Sequence, residues 1–262
     1  MQVPPQPPQS SPPPGYGQPP RASGVPVWVW VVVAVVGVCF VLPVMLGVFG
    51  LLSFGKAINN AVAEANKNAK TATVSSSALP AGWKHITASN ITLDIPAGWT
   101  AVDPNDQKFI DAVNKADTSD AQAAQMKQIM QLAMSNKSYK LFVFHFPADK
   151  ETAFAPNINV VATPAPAGAT LKDLADGAEA QAKKMGNGLT QRESVQLGSG
   201  DAEVIRWQMP STTTAGKVTL ALRTYMVVQN GTGYVITVTF PTKLESSLGA
   251  ESESIVRTFN VK

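Results

Sequence analysis

The chain has 262 residues, 21 Lys and Arg against 18 Asp and Glu, and one cysteine. The net charge of +3 comes from Arg21, Lys56, Lys67 and Lys70 against Glu64; residues 79–262 hold seventeen basic and seventeen acidic side chains and are neutral. A neutral domain lacks the electrostatic footprint of a nucleic-acid binder, and a lone Cys39 excludes both an intrachain disulfide and a cysteine-built metal site.

Residues 1–24 are rich in Pro, Gln, Ser and Gly and carry only Arg21. Such a segment buries too little apolar surface to fold, so a solvated, disordered tail of polyproline II character is expected. Residues 25–55 contain no charge. A bilayer core needs about 20 helical residues, and lipid imposes a helix even on a valine-rich stretch because every backbone group needs an internal partner. One transmembrane helix is expected, with Trp28 and Trp30 at an interface, a kink at Pro43 and Lys56 at the far border. No clean cleavage site follows it, so it reads as an uncleaved signal anchor with the lipid bilayer as a partner. Val38 before Cys39 is not the small residue that a lipid-attachment site requires.

Residues 56–78 read as a stalk and a Ser/Thr/Ala linker, and the globular domain as 79–262. The charge rule sets Lys56, Lys67 and Lys70 against Arg21 and so favours a cytoplasmic domain. The imbalance is small, and anchors with short unstructured tails commonly export the domain that follows. The expectation is a single-pass protein of the cell membrane with an extracytoplasmic domain; the alternative is a cytoplasm-facing adaptor.

The domain opens with a phrase used twice, Leu79-Pro-Ala-Gly-Trp83 and Ile95-Pro-Ala-Gly-Trp99. Between them, Ser89-Asn90 supplies turn chemistry and Ile91, Leu93 and Ile95 alternate with Thr92 and Asp94, which predicts a hairpin. The two phrases then read as its entrance and exit, with Trp99 buried at the rim of the core. Residues 106–136 carry two apolar stripes separated at 117–122, predicting two helical pieces, the second with Met126, Met130 and Met134 in core packing.

Tyr139–Phe146 is apolar on both faces, as a covered central strand should be, and Asn157–Thr163 is a further strand. Thr170 and Asp173 form a capping box for a helix that ends at Gly186. Strands follow at 189–197, 201–209, 217–229 and 233–240, the last two joined by Asn230-Gly231. Thr242 and Glu245 stand at capping-box spacing before a closing helix lined by Leu244, Leu248, Ile255 and Phe259. Successive hairpins with helices between them predict an α+β fold, an α/β/α sandwich around a mainly antiparallel sheet.

The stretches ITLDIPAGW, the 170–185 helix after NINVVATP, the meander from Asp201 to Pro241 and the closing IVRTFNV resemble the PsbP-like family over residues 83–262. That resemblance implies a fold shared with a Ran-binding nuclear import factor. It also implies a binding or assembly module, without shared catalytic residues.

The residues themselves point the same way. His145, near the end of a strand and followed by Asp149 and Glu151, is the one place where an acid–base or metal site could assemble, if the chain turns at Pro147. His85 lies alone in the first strand. No serine sits in a nucleophile elbow, and Gly186–Gly188 and Gly198–Gly200 are turns, not phosphate cradles. Arg206 and Arg223 lie on polar strand faces, where they are either ion-paired or line a cleft for an anionic group. The expectation is a non-catalytic scaffold with an envelope protein as partner, no cofactor, no metal and no nucleic acid. Arg206, Arg223 and His145 are the candidate binding residues, and a minor enzymatic role near His145 is the alternative.

Overall fold

The computed structural model describes residues 79–115, 131, 135, 137–145, 151–152, 154–186, 190–213 and 215–262. The tail, span and stalk expected over 1–78, the Met126/Met130/Met134 stripe and Asp149 lie outside the described residues. Among the described residues no helix is long and apolar enough to cross a membrane.

The chain runs through β1 (Lys84–Ala88), β2 (Ile91–Ile95), β3 (Trp99–Val102), α1 (Gln107–Lys115), β4 (Tyr139–His145), β5 (Asn157–Pro164) and α2 (Leu171–Met185). It continues through β6 (Thr190–Leu197), β7 (Gly200–Thr213), β8 (Gly216–Gln229) and β9 (Thr232–Pro241). A 3-10 turn (Thr242–Leu244) then leads into α3 (Glu245–Arg257) and β10 (Asn260–Val261). The class is α+β and every strand pairing is antiparallel, as the run of hairpins predicts.

The strands form two sheets, where the sequence suggested one. Seven strands lie in the order β3-β4-β5-β9-β8-β7-β6, and three in the order β1-β2-β10. Leu174, Ala175, Ala178 and Ala182 of α2 pack on Ile205, Trp207, Leu222 and Met226 of the large sheet. Its other face is covered by Ile91, Leu93 and Ile95 of β2 together with Ile255, Val256 and Phe259 at the end of α3. The second outer layer is therefore composite, part small sheet and part helix. β4 is buried on both faces from Leu141 to Phe144, as its unbroken apolar run demands.

Turn chemistry explains most boundaries. Asn230 (φ 51°) and Gly231 (φ 68°) both adopt the positive φ that a type I′ hairpin requires. The Thr170–Asp173 capping box is present, and Gly186 N–H donates to Ala182 O at 2.8 Å.

The repeated phrase is one device used twice. Trp83 N donates to Pro80 O at 3.0 Å and Trp99 N to Pro96 O at 3.3 Å, over Gly82 and Gly98 with φ of 84° and 92°. The second copy leaves β2 at Ile95 and is the hairpin's exit, as expected, but it is an entrance as well. It turns the chain out of the small sheet, and Trp99 starts β3 at the edge of the large one. Trp99 is buried, as expected.

Two further expectations change. β7 and β8 run through Pro210 to close at Thr213 and Gly216; among the described residues β6 pairs with β7 only as far as Trp207, so Pro210 lies beyond the β6 ladder, where a missing N–H is tolerated. The Thr242–Glu245 capping box does not form: Leu244 stands at the N-cap of α3 and makes no side-chain cap, and the Glu245 carboxylate is held by Arg223.

Candidate functional site

Arg206 of β7 and Arg223 of β8 are direct register partners. Their neighbours Trp207 and Leu222 face α2, so both guanidiniums face α3. On α3, Glu245, Gly249 and Glu253 stand at i, i+4 and i+8 and present one face to them. Arg223 Nη1 donates to Gly249 O at 2.6 Å and to Glu253 Oε2 at 3.4 Å, while Nη2 donates to Glu245. Its Cζ lies 5.5 Å from the Phe240 ring centroid. Gly249 makes this approach possible, since a Cβ there would meet Arg223 Nη2 at 2.7 Å.

Arg206 donates to Glu193 and, from Nη2, to Glu253 Oε2 at 3.4 Å. Arg257 Nη2 donates to Glu253 Oε1 at 2.7 Å. Burial pushes the Glu253 carboxyl up, but the bond from Arg257 and the charges of Arg206 and Arg223 outweigh it and hold the group below the usual glutamate range. Burial also acts against the charge on Arg206, and the pairing with Glu193 overrides it, so the guanidinium holds its proton more firmly than usual. Burial and the Glu253 charge push the Tyr225 hydroxyl up to about 12.

Beside this cluster lies a half-open cleft of about 270 Å³, lined in part by Gln191, Arg206, Gln208, Arg223 and Glu245. Arg223 is only 10% exposed, whereas its partner Glu245 and Arg206's partner Glu193 are 50% and 49% exposed. Two fixed cations are thus covered by two carboxylates that reach into solvent. Chemically the cleft offers a forked donor set for a carboxylate or another planar anion, next to two side-chain amides.

His145 closes β4 opposite Trp99, with the rings T-shaped and centroids 5.2 Å apart. Trp99 Nε1 donates to Glu251 Oε1 at 2.6 Å. Burial lowers the His145 pKa against the opposing charge of Glu251. Glu151 pairs with Lys243 at 2.6 Å. Among the described residues His145 is therefore placed by an indole and a helix carboxylate, and Glu151 is taken by Lys243. His85 pairs with Asp94 across the β1–β2 ladder at 2.6 Å.

All three residues singled out in the sequence converge on α3, the arginines through Glu245 and Glu253 and His145 through Glu251. Of the acidic partners, Glu245 reads from the sequence only as a capping residue and Glu193, Glu251 and Glu253 are not singled out, although Glu245, Gly249 and Glu253 stand in one helical row. Among the described residues no group of three or more His, Cys, Asp or Glu could hold a metal ion.

No family model and no curated protein matches this chain. Solved structures resemble it in trace. Cyanobacterial PsbP (CyanoP) from Synechocystis sp. PCC 6803 aligns with a TM-score of 0.43 and 9% identity over 73% of this chain and 99% of that one. LpqN of Mycobacterium tuberculosis, involved in cell envelope biogenesis, aligns at 0.39 with 13% identity over 69% and 90%. The Ran-binding protein Mog1p of Saccharomyces cerevisiae aligns at 0.37 with 16% identity over 68% and 95%. The likeness is one of fold alone.

Proposed function

We propose that this is a single-span membrane protein whose PsbP-like domain is a non-catalytic, extracytoplasmic binding module that takes an acidic segment of an envelope protein in the Arg206–Arg223 cleft. The observation that carries the reading is the placement of two register-paired arginines in one cleft, each covered by a half-exposed glutamate. An incoming carboxylate can replace Glu193 or Glu245 without changing the charge around the guanidiniums, so neither arginine is left unpaired at any stage. The uncharged stretch at 25–55 supports the anchor.

Calorimetric titration of the full chain in detergent micelles with a Glu-rich peptide and its Gln-substituted counterpart tests the cleft. The acidic peptide should bind and the amide version should not, and Arg206→Gln should weaken binding about tenfold. Equal binding of both peptides sinks the reading.

The lysines at 56, 67 and 70 favour a second reading, a cytoplasm-facing adaptor. Lys217, exposed beside the β7–β8 turn, separates the two. In Lys217→Cys, labelling of intact cells by a membrane-impermeant maleimide supports an exported domain. Labelling only after lysis supports the adaptor.

A further inference from the structure

The large sheet also carries polar groups on its other face, the one that packs on α2. Ile158 and Val160 of β5, and Ile236, Val238 and Phe240 of β9, belong to the core on the α3 side. The alternating residues Asn157, Asn159, Thr237 and Thr239 therefore lie on the opposite face. Asn159 stands opposite Thr237, which stands opposite Thr224 of β8, and Asn157 stands opposite Thr239. The result is a polar patch two register rows deep, in which none of the five residues is more than 2% exposed. Phe142 and Phe144 of β4 flank it on one side, and the cluster of Trp207, Leu222 and Met226 on the other.

Part of the patch is internally satisfied. Asn157 Nδ2 donates to Ala155 O at 3.0 Å, Asn159 Nδ2 to Thr237 O at 3.3 Å, and Trp207 Nε1 to Thr224 Oγ1 at 3.3 Å. Three oxygens are left over: Asn159 Oδ1, Thr237 Oγ1 and Thr239 Oγ1 have no hydrogen-bond partner among the described residues. Buried polar atoms are nearly always paired, with protein or with ordered water, because an unpaired one forfeits its hydration for nothing. Three such atoms on neighbouring positions of two paired strands form an array with its own recognition chemistry.

We infer that this patch is a buried binding site for a small neutral hydroxyl-bearing guest, water or a small alcohol. Asn159 Oδ1 can only accept, so the guest donates to it. The threonine hydroxyls both donate and accept, so one or two O–H groups complete the set. A charged guest does not fit, because none of the five residues carries a counter-charge and a buried ion without one is heavily penalised. The site is independent of the arginine cleft, which lies on the opposite face of the sheet.

The test is the sign of a stability change. Thr237→Val and Thr239→Val keep the branched side-chain shape and strand preference and replace only the hydroxyl by a methyl. In the full chain in micelles, each should lower Tm by about 2–4 °C if the hydroxyl holds a guest. An unchanged or raised Tm means the hydroxyl is a true orphan and overturns the proposal. Native mass spectrometry of the wild-type chain identifies the source: a retained hydroxylated molecule marks an organic guest, and the bare chain mass together with the Tm loss marks water. If the variants fail to fold, a high-resolution crystal structure of the wild-type chain decides. Density within hydrogen-bonding distance of all three oxygens supports the site, and oxygens facing only protein atoms refute it.

Discussion

Arg223 and Arg206 differ in what each would cost to lose. Arg223 lies beneath α3 with 10% of its side chain exposed, and it satisfies Gly249 O as well as two carboxylates. Arg223→Met would remove a buried charged donor from that carbonyl, which keeps Ser252 Oγ at 3.1 Å, and would release Glu245 and weaken the hold on Glu253, so a loss of about 2 kcal/mol is expected in urea unfolding. Arg206 is 27% exposed and shares Glu253 with two other arginines, so Arg206→Gln should cost less than about 1 kcal/mol. Equal costs for the two variants would contradict the asymmetric burial. Both arginines were legible in the sequence as strand residues on a polar face. Their side-by-side pairing was not, because it depends on the β7–β8 register and on where α3 lands, and neither is encoded within a few residues of either arginine.

Among the elements, those punctuated by local chemistry read directly from the sequence. Thr170 and Asp173 cap α2 as their spacing predicts: Asp173 N donates to Thr170 Oγ1 at 3.2 Å and Thr170 N to Asp173 Oδ2 at 2.9 Å. The bonds from Thr170 hold the Asp173 carboxyl below its ordinary value. Thr170→Ala should cost about 1 kcal/mol in thermal unfolding. Thr242 and Glu245 show similar spacing but make no box, since tertiary structure gives Glu245 a guanidinium instead of a backbone N–H. β3 and β10 escaped the sequence for a related reason. Each is four residues or shorter and has no periodicity of its own; Trp99 and Val261 are strand residues only because β4 and β2 offer them an edge. The Asn230-Gly231 turn needed no such help, because its positive φ angles are a property of those two residues.

Over the whole molecule, ion-pair clusters tie α2 and α3 to the large sheet. Arg192 of β6 reaches Asp176 of α2 at 2.6 Å and Glu203 of β7 at 2.9 Å, and the Glu253 cluster does the same for α3. Bonds from Lys172 and Arg192 lower the Asp176 pKa, and a bond from Lys183 lowers that of Glu179. In Glu203, burial raises the pKa but the bond from Arg192 lowers it further. A carboxyl whose pKa is depressed by folding adds stability above its ordinary value and loses it as pH falls through the lowered one. His145, depressed by burial, takes a proton less readily in the folded chain than in the unfolded one, and so opposes folding as pH falls below its ordinary value. Tm should therefore fall in two stages on acidification. A small decline begins below the ordinary histidine value of 6.5, and a larger one follows below the ordinary carboxylate values of 4.5 and 3.8. His145→Gln should remove the first stage alone, as differential scanning fluorimetry across pH would show. The proposed role of the arginine cleft is to receive a protein partner. Its most direct test is a photo-crosslinking residue placed at Gln208 in the cleft and, as a control, at Lys84 on the small sheet, in intact membranes. One discrete crosslinked partner is expected from Gln208, lost in the Arg206→Gln background and absent from Lys84. Equal products from both positions, or a Gln208 product that survives Arg206→Gln unchanged, would contradict it.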